Sequence, residues 1–179
     1  MRDATRTRAA ILAAAQTIFS EKPFGQASLK DICALAGANV ALVSRYFGSK
    51  QKLFEEALDI SLDVSLMIPG NRETFGATLA KLFVNEVDTR INPLPMLVFA
   101  SMQPSTRQTA LDLVNVRVLQ PLGQWIGGED GEARAAQAMA IATGYFTYKI
   151  LLPLAPFEDA GNEITEEWLA RSLQILVSD

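Results

Sequence analysis

Histidine is absent from this 179-residue chain, and cysteine occurs once, at Cys33. The missing histidine removes Ser-His and Cys-His nucleophile couples, zinc-histidine motifs and carboxylate-histidine di-iron sites together. A lone cysteine allows no intrachain disulfide and fits a reducing cytoplasm. No metal site or cofactor is expected. The adjacent carboxylates Glu55-Glu56 and Glu166-Glu167 point to different faces of a helix, which is poor geometry for paired acid-base work. Alternating strand patterns are missing as well. The longest apolar stretch, 138–157, is interrupted by Lys149 and two prolines and carries the polar tips of Tyr145, Thr147 and Tyr148. A buried or interface helix is therefore expected there, and no membrane span. The N-terminal segment imitates a signal peptide, but Asp3 sits in its basic part. Ile11, Ala14, Ala15, Ile18 and Phe19 recur at helical spacing, the mark of an amphipathic helix.

Apolar residues make up 49% of the chain and charged ones 20%, a composition that folds. The net charge of −4 is unevenly spread: residues 1–54 carry +5 and the remainder −9. A basic head on an acidic body can meet phosphates with one end only. Uneven solvated surfaces give the same imbalance, so charge leaves the two readings level.

Gly, Pro and capping residues divide the chain into about nine helices, an all-α fold. The first closes at Pro23 and Gly25. Ser28, with Asp31 three residues on, opens a second in the manner of a capping box. Gly37 ends it, Asn39 caps a third, and Ser49 caps a fourth expected to run to about Met67. Further helices are expected over 72–90, 94–102, 105–126, 131–152 and 163–177. Residues 1–48 are read as one domain and 49–179 as a second, larger one.

The stretch SLKDICALAGANVALVSRYFGSKQKLF, 28–54, holds two short helices meeting at a glycine, the geometry of a helix-turn-helix. Leu29, Ile32 and Ala36 form the buried side of the first, while Ser28 and Lys30 face outward. In the second, Val40, Ala41, Ser44 and Arg45 fall on one arc and Leu42, Val43, Tyr46 and Phe47 on the other. One arc packs and the other is open to read. Arg45 is the candidate for a bidentate contact to guanine, with a phosphate or solvent role as its alternative. Val40 and Ala41 are placed for thymine methyls, and Tyr46 and Lys50 for phosphates. Arg2, Arg6 and Arg8 read as a solvated helix face.

This stretch resembles the TetR/AcrR family of transcriptional regulators, matching its anchors at Ser28, Ile32, Ala36, Gly37, Tyr46, Phe47, Ser49, Lys50 and Leu53. The resemblance implies an all-helical, cytoplasmic bacterial homodimer. It further implies a three-helix head on double-stranded operator DNA, a fourth helix as linker, and a body that takes an inducer. The implied DNA-facing set is Ser28, Lys30, Asn39, Val40, Ala41, Ser44, Arg45, Tyr46 and Lys50. Three positions depart from the family pattern. Cys33 stands for the usual Ala, and Asn39 for Ser with the cap retained. Ser44 stands where Tyr is frequent, so a phosphate contact is given up or a shorter side chain turns toward a base.

Aromatic and Met residues recur through the body, as plain core or as the lining of an apolar pocket. Phe99, Met102, Asn115, Arg117, Tyr145 and Tyr148 are the candidate lining for a largely apolar inducer. The last two helices, rich in Ala and carrying Gly144, are candidates for a two-fold interface. A repressor released by an inducer is the reading adopted. A helical carrier or enzyme, and a protein-interaction module using the helix-turn-helix for packing, are the alternatives.

Overall fold

A computed structural model describes residues 2–64, 68, 70–84, 92–158 and 162–178, with no strand among them. The helices are α1 (Arg2–Glu21), α2 (Leu29–Ala36), α3 (Val40–Phe47), α4 (Lys50–Ser61), α5 (Phe75–Val84), α6 (Leu94–Ser101), α7 (Pro104–Val114), α8 (Gln120–Ile126), α9 (Gly131–Phe146), α10 (Ala155–Glu158) and α11 (Glu163–Gln174). No helix among the described residues is long and apolar enough to cross a membrane. The chain divides into two compact units, Met1–Leu62 with Ile91–Val114, and Asp63–Arg90 with Asn115–Asp179. α4, α6 and α7 share the first unit with α1, α2 and α3.

In the first unit the apolar stripe of α1 (Ile11, Ala14, Ala15, Ile18, Phe19) is buried as its spacing requires, together with Ile32, Val43, Leu53, Phe54, Ala57 and Leu58. Phe19 and Phe54 meet edge to face at 5.2 Å, and Phe24 from the α1–α2 turn closes the trio, 5.4 Å from Phe54. Each such ring removed from water contributes about 1.5–3 kcal/mol. Arg8 is no solvated bystander. Its guanidinium lies 4.7 Å from the Phe47 ring centroid and bonds Glu56 at 2.6 Å, tying α1 to α3 and α4.

The second unit is built on α5 packed against α11 and α8 against α9, around Phe75, Leu79, Phe83, Leu122, Ile126, Ala138, Tyr145, Leu169 and Leu173. Glycines set both close approaches. A Cβ on Gly76 would lie 2.0 Å from the Ala170 carbonyl oxygen, and one on Gly131 2.5 Å from that of Gly123. Arg72 stitches helix ends together, donating to the carbonyls of Ile126 (2.7 Å), Trp125 (3.3 Å) and Val177 (3.0 Å). Carbonyls at a helix C-terminus lack intrahelical donors, and a guanidinium supplies several at once.

Four expected helices differ in extent. The fourth stops at Ser61 rather than about Met67: Leu62 leaves helical geometry, and its N–H closes the last turn on Leu58 and Asp59. Leu62 and Val64 are both buried. Residues 65–67 lie outside the described residues, as do 85–90 of the fifth, whose start is a 3-10 turn over Arg72–Thr74 leading into α5. The helix expected over 105–126 passes through a π turn, Asn115–Leu119, between α7 and α8. Pro121 offers no N–H and its ring would clash with the Arg117 carbonyl of a regular helix, which a widened turn avoids. A second π turn, Thr147–Leu151, ends α9 before Pro153 and is closed by Leu152 N–H donating to Thr147 at 2.8 Å. Beyond it comes the short α10, with Pro153 before it and Pro156 in its first turn, where only a break was expected.

Candidate nucleic-acid interface

Three short-range devices hold α2 and α3. Ser28 Oγ caps α2 by accepting from Asp31 N–H at 3.0 Å, and Asn39 Oδ1 caps α3 by accepting from Ala41 N–H at 2.9 Å. Between them, Gly37 adopts φ 62°, ψ 36°. Its N–H donates to Ala34 at 3.3 Å and that of Ala38 to Cys33 at 2.9 Å, the paired bonds of a Schellman turn. A side chain at Gly37 would have space but would be strained by its left-handed φ. Only half of the capping box at Ser28 is used as expected: the Asp31 carboxylate faces Lys22 at 3.5 Å.

Exposure along α3 follows the two arcs. Val40, Ala41, Ser44 and Arg45 are exposed, Val43 and Phe47 are buried, and Leu42 and Tyr46 are half-buried. The exposed arc is small apart from Arg45, whose guanidinium lies 5.9 Å from the Tyr46 ring centroid. Lys30 on α2 is exposed and Ser28 half-buried, its hydroxyl oxygen accepting the cap bond while its O–H keeps a donor. Asn39 is exposed.

Lys50, in the first turn of α4, is more constrained than its sequence position suggests. Its ammonium donates to the Phe24 carbonyl at 2.5 Å and sits 4.4 Å from the Phe24 ring centroid. Burial lowers its pKa from the ordinary lysine value. An ammonium has three N–H donors, so the bond to Phe24 leaves donors for a phosphate. Neither Phe24 nor Gln103, which accepts from Gly25 N–H at 3.1 Å, was anticipated as part of this region. Phe24 carried a signal, an aromatic ring inside a Pro-Gly turn. Gln103 carried none.

Cys33 is 2% exposed, and desolvation raises the pKa of its thiol. A folded-state pKa above the unfolded value contributes stability that is complete below the unfolded value, about 8.5, and is lost as pH rises past it. Two outcomes are expected: a thiol reagent labels Cys33 quickly in denaturant but slowly in the native protein, and Cys33→Ala flattens the fall of stability above pH ~8.5. Native labelling as fast as that of the denatured chain would contradict this burial.

The six candidate pocket residues do not fall in one unit. Phe99, half-buried on α6, and Met102, exposed at its end, belong to the first, and the others to the second. Asn115, Arg117 and Tyr148 are exposed in the two π turns, whereas Tyr145 is buried. The Tyr145 ring stacks at 6.5 Å on Phe83 and lies 5.2 Å from Phe146 and 5.6 Å from Phe157. Its hydroxyl donates to the Phe83 carbonyl at 3.5 Å, and desolvation raises its pKa.

Two family models match the chain: "Bacterial regulatory proteins, tetR family" over residues 11–57 and "Tetracyclin repressor-like, C-terminal domain" over residues 73–177. A curated relative, the HTH-type transcriptional repressor NicS of Pseudomonas putida, is 43% identical over 56 residues. That match spans 31% of this chain and 26% of the relative's length. A TetR-family regulator from Streptomyces coelicolor A3 is similar in structure, with a TM-score of 0.59 and 25% identity, 98% of this chain and 96% of that one being covered. NalD, described as the secondary repressor of the MexAB-OprM multidrug efflux pump in Pseudomonas aeruginosa, shares the fold at a TM-score of 0.62 and 21% identity, with 95% and 96% covered.

Proposed function

Because the chain belongs to the TetR family of bacterial regulatory proteins, we propose that it is a cytoplasmic transcriptional repressor: a homodimer that grips a palindromic operator and is released by a largely apolar small molecule. The observation that carries this reading is the exposed arc of α3. It is slim enough for a major groove, is presented on two capped helices, and lies in the basic part of the chain. Arg45 reads guanine, Val40 and Ala41 touch thymine methyls, and Ser44 lies beside them. Ser28, Lys30, Asn39, Tyr46 and Lys50 meet the backbone and fix register.

These roles separate in a binding assay. Arg45→Ala should relax sequence preference at one base pair by about 1–3 kcal/mol. Tyr46→Phe should weaken binding to all duplexes by a similar factor, about five- to tenfold. Fluorescence anisotropy against matched and mismatched duplexes checks both, and equal binding by the wild type and both variants would remove the assignment. Affinity should fall steeply with salt, since the phosphate contacts displace counterions.

The dimer is assigned to α9 and α11. Ala133, Ala136, Ala140 and Gly144 line an exposed stripe of α9 that lets another helix come close. On α11 and the turn after it, Ile164, Trp168 and Ile175 are 81%, 43% and 71% exposed at helical spacing. Apolar side chains so arranged are stabilised by a second copy that covers them. For the inducer, a mostly apolar molecule is proposed to bind beside Tyr145 in the second unit, where Phe83, Phe146 and Phe157 supply apolar surface and Lys149 Nζ stands 5.5 Å from the Tyr145 ring. Release follows when that molecule binds better to a dimer state with low operator affinity.

A further inference from the structure

The turn between α1 and α2 contains one peptide group, Phe24–Gly25, held from both edges. Its carbonyl accepts from Lys50 Nζ at 2.5 Å, and its N–H donates to Gln103 Oε1 at 3.1 Å. In a trans peptide the carbonyl and the N–H point in opposite directions across one plane. Gln103 and Lys50 therefore grip opposite edges of the same rigid unit. A peptide flanked by glycine rotates at little steric cost, so these two bonds set its plane. Each bond also polarises the peptide and strengthens the other.

Both anchors are firm. The turn is closed on the Pro23 carbonyl by the N–H groups of Gln26 (2.8 Å) and Ala27 (3.0 Å), and the Phe24 ring is wedged between Phe19 and Phe54. Gln103 caps the start of α7, its carbonyl accepting from Arg107 N–H at 2.9 Å and its own N–H donating to Ala100 at 3.2 Å. The fully buried Thr106 hydroxyl, 3.0 Å from the same Ala100 carbonyl, stiffens this corner. Gln103 is thus presented from a fixed α6–α7 corner to a turn 78 residues away in sequence.

We propose that Gln103 is a positioning residue for DNA binding, acting through the Phe24–Gly25 peptide to hold the Lys50 ammonium ready for a phosphate. This rests on the DNA-binding reading. When the Gln103 bond is lost the peptide turns, Lys50 loses its anchor, and its long stem must be ordered anew each time a phosphate is met.

The test uses the full-length protein and a fluorescent duplex bearing the palindrome selected from random DNA. Gln103→Met keeps the stem but has no acceptor, and should weaken binding about fivefold. It should also lower the slope of log affinity against log salt toward that of Lys50→Met, a change of up to about one. Gln103→Glu, which keeps an acceptor oxygen, should restore affinity to within about twofold. In a Lys50→Met background, Gln103→Met should cause no further loss. If Gln103→Met does not fold, Gln103→Asn, one methylene short of Gly25, carries the same expectation. Equal losses in both backgrounds, or an unchanged Gln103→Met, would overturn the proposal while leaving DNA binding intact. A wild type that binds no duplex would overturn the DNA-binding reading and this proposal with it.

Discussion

Gly76→Ala is expected to lower the melting temperature by roughly 10 °C, the largest effect of any single added carbon considered. The added Cβ would stand 2.0 Å from the Ala170 carbonyl oxygen and 2.8 Å from both Cβ and N of Gln174. Those neighbours are mostly backbone of α11, so no side-chain rotation relieves the clash. The helices must separate, and that parts Phe75 and Leu79 from Leu169 and Leu173 in the same core. It also strains the bond from Gly76 N–H to Gln174 Oε1, 2.9 Å long, and the return bond from Gln174 Nε2 to the Arg72 carbonyl, also 2.9 Å. Overpacking of this kind costs about 3 kcal/mol. Gly70→Ala is the control: a Cβ there meets nothing within 4 Å, and the melt should barely move. Thermal denaturation followed by circular dichroism reads both, and a Gly76→Ala melt within a degree or two of wild type would contradict the α5–α11 packing.

Ala140→Arg is expected to abolish dimerisation and to weaken operator binding by about a thousandfold. The guanidinium would stand in the exposed small-residue stripe of α9, where a partner helix is proposed to come close. A single head gains only its own base and phosphate contacts. The second head of a dimer binds at the high local concentration set by the first, a gain of about 10²–10⁴. Ile164→Lys tests the second helix assigned to the interface, α11, independently. Sedimentation gives the oligomeric state, circular dichroism shows that the fold is kept, and anisotropy gives the affinity. A variant that remains dimeric, or a folded monomer that binds as tightly as wild type, would move the interface elsewhere.

Local signals in the sequence are strong where the physics is local. Ser28, Gly37, Asn39 and Ser49 mark helix ends because each device acts within four residues, and all four are found in those roles. The two arcs of α3 are likewise a matter of helical period. What the sequence conceals is contact between distant segments. Gln103 reads as an ordinary polar residue before a proline, and its partner Gly25 lies 78 positions away. Arg8 reads as one of three solvated arginines, and only the folded chain brings Phe47 and Glu56 to it. The end of α4 is a middle case. Its apolar pattern continues past Ser61, but the helix closes at Leu62, whose N–H bonds Leu58 and Asp59.

Tyr145 shows how composition can single out a residue and be silent about its company. Its polar tip and ring suit a ligand site, yet Phe99 and Met102, grouped with it on chemistry alone, belong to the other unit. The aromatic neighbours it has, Phe83, Phe146 and Phe157, come from three separate segments. Residue types identify candidates for a pocket, whereas topology decides which of them meet.

The central claim is that α2 and α3 form a reading head used in symmetric pairs on DNA, and selection from a pool of random duplexes with the full-length protein tests it most directly. The account predicts enrichment of a palindrome whose half-site centres lie about one helical turn, ~10 base pairs, or a small multiple of it apart. A pool that shows no enrichment after repeated rounds, or that converges on a site without two-fold symmetry, would contradict it.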